Sequence, residues 1–187
     1  GLVGSEMCIR DSLYMDQVTT FMDEQLAASK RYESDKILTK TMINNYAKNN
    51  LLPSPDKKKY SKEHVLTLLF IYYFKNILSI NDIRSILNPL TEKYFGNDDG
   101  FTMQDVYTEV FSLEAEESQK LLKDLGKKYK IAGETFEDFP AEDQKFLHTF
   151  SFICMLSFDV YIKKMLIERM IDDLNEENEA SKIGGKN

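Results

Sequence analysis

Residues 38–61 read LTKTMINNYAKNNLLPSPDKKKYS, and the order of side-chain types along this stretch decides the fold. Thr39 supplies a hydroxyl suited to capping the free N–H groups of a first helical turn. After it Met42, Ile43 and Tyr46 fall on one side of a short helix, and Thr41, Asn44, Asn45 and Lys48 are left for the other. Asn50 stands where helices commonly end in a left-handed residue, which asparagine tolerates well. Leu51 and Leu52 then turn inward, and Pro53 and Pro55 forbid further helix. Lys57, Lys58, Lys59 and Tyr60 form the tip and return of a hairpin, and Ser61 caps a new helix.

Working outward, Met15, Val18, Phe21, Met22 and Leu26 have helical spacing, and a polar stretch over 27–36 separates that first helix from the second. After Ser61 a helix is expected to about Ile77. The run VLTLLFIYYF (65–74) has the composition of a buried strand, but its cap and length favour a buried helix. Ser79 with Asp82 resembles a capping box, followed by Ile80, Ile83, Ile86, Leu87 and Leu90 at helical intervals. Glycine and acids in YFGNDDG (94–100) mark a linker and a domain boundary.

Beyond it, Thr102 and Asp105 open an amphipathic helix with Met103, Val106, Tyr107, Val110 and Phe111. It continues through Leu121, Leu122 and Leu125 and is expected to stop at Gly126. After a second linker near Gly133, Pro140 opens a long helix to about Asn175, apolar on most sides as far as Ile162, the hub of a helical bundle. Phe146, Phe150, Phe152, Phe158 and Tyr161 read as its aromatic core rather than as a ligand pocket. Leu166, Ile167, Met170, Ile171 and Leu174 form a narrower stripe, suited either to a partner subunit or to the Thr102 helix of the same chain. The expected division is therefore 13–93, 101–175 and a disordered acidic tail, 176–187.

The first stretch, LVGSEMCIRDS (2–12), resembles the translation of a sequencing-library adapter, and 1–12 are set aside from the fold. It has neither the apolar core nor the small-residue cleavage pattern of a signal peptide. With 42% hydrophobic and 12% aromatic residues the remainder can bury a sizeable core. Cys154 then stands alone, which excludes a disulfide framework or thiolate cluster and fits a reducing cytoplasm. The most apolar segment, Phe146 to Ile162, is too short and too polar to cross a bilayer. His64 and His148 lack metal-ligand spacing, and no nucleophile elbow, phosphate-binding glycine loop or HExxH pattern occurs. The acidic pairs Asp98/Asp99, Glu116/Glu117 and Asp172/Asp173 read as solvated faces. Neither catalysis, nor a cofactor, nor a metal is expected. The net charge of -7 is unevenly distributed: between Lys36 and Lys93 ten Lys/Arg face four acids. A basic island on an acidic body is the distribution expected when one face meets phosphate.

The fold class expected is mainly α, a winged helix-turn-helix domain followed by an all-helical domain with a long central helix. Residues 38–90 resemble the MerR-type winged-helix module: the hydroxyl-capped helix with Tyr46, the Leu51-Leu52 exit before Pro55, Lys58-x-Tyr60-Ser61 in place of Arg-x-Tyr-Ser, and Ser79-Ile80-x-x-Ile83. The chain departs from that pattern at Asn44, where an arginine is usual, at Asn50, where a glycine is, and in the long 27–36 connection. It resembles more closely the bacterial family called domain of unknown function 1836, through LTKTMINNY, KKKYSKEH and LSFDVYIKKMLIERMID, a likeness expected over most of the chain after residue 13. These resemblances imply a cytoplasmic transcription regulator that binds double-stranded DNA as a homodimer, through Leu166, Ile167, Met170, Ile171 and Leu174. Thr39, Thr41, Asn44, Asn45 and Lys48 would face base edges, while Lys40, Lys57, Lys58, Lys59 and Tyr60 would hold the phosphate backbone. The alternative is a non-enzymatic interaction module whose lysines meet an acidic protein partner.

Overall fold

A computed structural model of the chain describes residues 12–97 and 100–184. The adapter-like stretch up to Asp11, the acidic pair Asp98/Asp99 and the last three residues of the tail lie outside the described residues. The fold is mainly helical: β1 (Leu13–Tyr14), α1 (Met15–Gln25), a 3-10 turn (Ala27–Ser29), α2 (Lys40–Lys48), β2 (Lys59–Tyr60), α3 (Lys62–Phe74), α4 (Ile80–Tyr94), α5 (Met103–Gly133) and α6 (Ala141–Gly184). The two short strands pair antiparallel, Leu13 opposite Tyr60 and Tyr14 opposite Lys59.

Local chemistry sets where the helices start. The Thr39 hydroxyl accepts the Met42 N–H at 3.2 Å. Ser79 and Asp82 cap one another reciprocally, each backbone N–H meeting the other's side chain at 3.2 Å. Thr102 and Asp105 repeat the device, and the Thr102 hydroxyl and, after it, the Thr102 N–H donate to the Asp105 carboxylate and hold that carboxyl below the usual carboxylate range. Asn50 ends α2 with φ 55°, filling with asparagine the conformation that usually selects glycine. The 3-10 turn occupies the start of the long 27–36 connection.

Two compact units divide the chain, the first ending at Ser112 and the second beginning at Leu113. In the first, α3 is the hub. Every residue from His64 to Ile71 is buried, so the β-rich run is a helix covered all round, as its cap and length required. Val18 and Met22 of α1, Ile43 and Tyr46 of α2, Leu51, Leu52, and Ile83 and Leu87 of α4 complete the core. The unit extends past the linker expected to bound it. Tyr107 and Phe111, in the first turns of α5, set their rings 6.0 and 5.5 Å from that of Phe70, and Met103 is fully buried. The boundary therefore falls within a helix rather than at 94–100.

The second unit pairs the rest of α5 with α6. The Tyr129 ring meets Phe152 edge-on at 5.4 Å, Lys128 pairs with both Asp124 and Asp159, and the His148 Nε2 lies 2.8 Å from the Thr135 carbonyl oxygen. Three expectations are corrected. Gly126 does not stop α5: its backbone stays helical, and the loss relative to alanine is only about 1 kcal/mol, which thirty flanking helical residues absorb. The segment 176–184, expected to be disordered, continues α6 because Glu, Ala and Lys favour helix. The expected aromatic core does not form within the chain: Phe146, Phe150, Phe158 and Tyr161 are all more than half exposed. The stripe from 166 to 174 is also divided, with Ile171 buried and Ile167 half-buried, but Leu166, Met170 and Leu174 exposed. No helix among the described residues is long and apolar enough to cross a membrane.

Candidate functional site

The polar side of α2 is open. Ile43 and Tyr46 anchor its inner face, and burial raises the pKa of the Tyr46 phenol. Lys40, Asn44 and Lys48 then rise in one row four residues apart, Thr41 and Asn45 in the next, all exposed. Thr39 is half-buried, with its oxygen engaged in the cap. Lys40 pairs with Asp16 at the start of α1, both side chains well exposed.

Asp56 to Lys59 make the lysine turn. The Lys59 N–H donates to the Asp56 carbonyl at 2.8 Å, and Lys57 and Lys58 between them have φ 46° and 66°. Two successive left-handed residues inside a four-residue reverse turn form the type I′ pattern, whose twist suits an antiparallel ribbon and which asparagine and glycine normally supply. Lysine has a β-carbon and resists this region, at a cost of about 1 kcal/mol or more for each residue. All three lysines are exposed, and among the described residues none of them forms an ion pair. The ribbon holds the turn in place: β2 pairs with β1, and the Lys59 ammonium lies 5.8 Å from the centre of the Tyr14 ring.

Tyr60 departs from its expected role. It is 3% exposed, and its ring meets His64 edge-on at 5.4 Å, so the phenol faces the core and not a phosphate. His64 is 4% exposed, with Phe95 against its other side at 4.7 Å. Its Nδ1 accepts the Ser61 N–H at 2.9 Å, capping α3, and among the described residues its buried Nε2 meets no hydrogen-bond partner. Burial lowers its pKa, against a smaller opposing effect of the Ser54 and Pro53 backbone.

Two contacts place the helix face and the turn on the same part of the first unit. Tyr14 meets Lys59, and Asp16, two residues on, meets Lys40. The start of α1 thus touches both. Sequence reading missed Tyr14 and Asp16, because a two-residue strand has no periodicity to find. Of the other cations in the basic island, Lys75 is turned inward, its ammonium donating to the Ile37 carbonyl at 3.0 Å, and burial lowers its pKa. The charge is thus a matter of placement: residues 13–112 hold twelve Lys/Arg against thirteen Asp/Glu. An open groove of about 440 Å³ beside α2, lined by Asp23, Glu24, Lys36 and Lys40 among others, has mixed charge and bounds the basic surface. Among the described residues no group of His, Cys, Asp or Glu is arranged to hold a metal ion.

Nothing among curated proteins matches the chain, and no solved structure does. A family described as Domain of unknown function (DUF1836) matches residues 8–110. The match opens inside the stretch set aside as adapter-like and closes two residues before the end of the first unit. It therefore leaves out the LSFDVYIKKMLIERMID segment that the resemblance was expected to include. Covering more than half of the sequence, it carries α2, the lysine turn and α3 together: the chain belongs to the DUF1836 family.

Proposed function

We propose that the first unit is a MerR-like winged helix-turn-helix module and that the chain is a cytoplasmic transcription regulator binding duplex DNA. On this reading α2 enters the major groove. Asn44 and Asn45 pair with base edges, for which the asparagine amide suits adenine, and Thr41 and Lys48 flank them. Lys57, Lys58 and Lys59 lie along the phosphates as the wing. Lys40 exchanges Asp16 for a phosphate oxygen, and Thr39 keeps its capping role. Tyr60 acts beneath the wing, positioning it from the core.

One observation carries the proposal: the open polar face of α2 and the strained, unpaired lysine turn both abut the start of α1. Backbone strain of this kind persists only where the surrounding structure enforces it, and it collects at functional sites. A module built to meet an acidic protein would need the lysines but no particular relation to a polar helix.

Selection of bound duplexes from a random pool, followed by affinity measurement across a salt series, tests the reading. A preferred sequence is expected. Changing Lys57, Lys58 and Lys59 together to Ala is expected to reduce the salt slope by up to about 2.7, at roughly 0.9 per phosphate contact, and to weaken all duplexes alike. An unchanged slope removes the wing from the proposal, and no retention on duplex DNA at low salt turns the lysines toward an acidic protein.

A further inference from the structure

Among the described residues the apolar surface of α6 is broadly uncovered. His148, Ser151, Phe152, Met155 and Asp159 recur every three or four residues and are half-buried, the face α6 turns toward α5. On the opposite side Phe146, Phe150, Ile153 and Tyr161 recur with the same spacing, each more than half exposed. Val160 widens this second face and is equally exposed, while Phe158, Ile162 and Met165, exposed as well, continue the row of Ser151 and Met155. A helix apolar on both sides is stable in water only when both are covered, and a two-helix pairing covers one.

We propose that a second copy of this chain covers that face, so that two α5–α6 pairs close around a twofold axis into one intermolecular helical bundle. The inference does not rest on the DNA-binding reading. Three features select the occupant. The first is area: Phe146, Phe150, Ile153, Val160 and Tyr161 on that face are each more than half exposed, and at about 100 Å² each they offer roughly 500 Å² from α6 alone, more than half of what one partner of a stable interface buries. A standard stable interface buries about 800 Å² on each partner. The second is charge. Between Phe146 and Ile162 the one charged residue is Asp159, and its carboxylate is engaged by Lys128 of the same chain. The exposed face is therefore uncharged and complementary to itself, as an interface across a twofold axis requires. The third is the flanks. Lys145 precedes the apolar stretch and Lys163 and Lys164 follow it, and over α6 as a whole nine acids stand against five Lys/Arg. A helix of net negative charge is repelled by anionic lipid and nucleic acid, whereas an amphipathic membrane helix carries a lysine- and arginine-rich polar face. The charged residues from Lys145 back and from Lys163 on limit the contact to the middle of α6.

Sedimentation of the full chain over a concentration series, with helicity followed by circular dichroism, tests this. Twice the 21.7 kDa chain mass is expected at the upper concentrations, undiminished by added salt. The double variant Phe150→Asp, Tyr161→Asp is expected to sediment as a single chain that keeps its helicity. A second measurement covers loss of folding in that variant. With Cys8→Ser and Cys154→Ser in place, Ser157→Cys sets one thiol midway along the seam, where a twofold axis brings it against its own copy. Mild oxidation should join two chains covalently. A wild-type chain that stays at single-chain mass, whether or not it binds lipid vesicles, overturns the proposal. So does a folded double variant that remains at twice the chain mass, or a dimer that Ser157→Cys does not cross-link.

Discussion

In the first unit α3 is buried all round from His64 to Ile71, with α1, α4 and the opening of α5 packed on it; in the second α6, longer and apolar on two opposite faces, is covered on one. Ala132 and Ile171 are the only buried residues of the second unit among those described, while the first buries twenty-one large apolar side chains. What the first unit shows to solvent is lysine, threonine and asparagine on a rigid scaffold. What the second shows is phenylalanine, isoleucine and methionine. A unit with a closed core owes its function to the polar groups it displays, whereas one with an open core still lacks part of its core.

The largest effect that would break the comparison is on stability. Leu66→Ala empties a fully buried site in α3 and should cost the first unit about 2–5 kcal/mol. Phe158→Ala removes more atoms from α6 and should change the stability of the dilute chain by no more than about 0.5 kcal/mol, since the ring already faces water. Urea unfolding followed by hydrogen exchange, residue by residue, separates the two. Equal losses at high dilution would mean that α6 is covered within its own chain.

Next in size is recognition. Asn45→Ala removes one amide from the open face of α2 and should lose about 1–3 kcal/mol of discrimination at one base position, leaving the salt slope as it was. Competition between duplexes differing at single positions measures it. Uniform weakening at every position would assign Asn45 to the phosphates, and the division of labour between α2 and the lysine turn would fail.

How far each unit could be read from sequence follows from where its partners lie. Thr39, Ser61, Ser79 and Thr102 act on neighbours three residues away, so the starts of α2 to α5 were legible, as was the left-handed end at Asn50. The exposed row of Lys40, Asn44 and Lys48 follows from helical periodicity alone. Tyr60 was misassigned because its neighbour Lys59 faces solvent, and alternation along a strand two residues long cannot tell inside from outside. Gly126 was misread because glycine breaks a helix only when the backbone needs a positive φ, and here it does not. The aromatic run of α6 has the composition of a core, but composition does not say whose chain completes it.

A smaller effect sharpens the contrast by setting stability against binding. Lys58→Gly frees a left-handed position from its β-carbon and should stabilise the first unit by about 1 kcal/mol. The same change removes one ammonium from the turn and should lower the salt slope of DNA binding by about 0.9. No change made on the exposed face of α6 should trade the two in this way. A glycine variant that gained stability without losing affinity would show that the strain at Lys58 is not tied to phosphate contact.

The smallest effect is on pH and belongs to the first unit. His64 is buried between Tyr60 and Phe95, and its Nδ1 is an acceptor for the Ser61 N–H, so the folded state holds it neutral. Its pKa lies below the ordinary value of 6.5, chiefly through burial. As pH falls through 6.5 the unfolded chain takes up a proton that the folded chain refuses, and stability declines until the folded pKa is reached; above 6.5 the full contribution is present. His64→Gln keeps a side chain able to accept the Ser61 N–H but removes the titration, so it should flatten the acid limb of the first unit's melting temperature while leaving the neutral plateau nearly unchanged. An acid limb that survived the substitution would place the sensitive group elsewhere, with Asp23, whose pKa the Lys30 ammonium 2.5 Å away lowers, as the next to test.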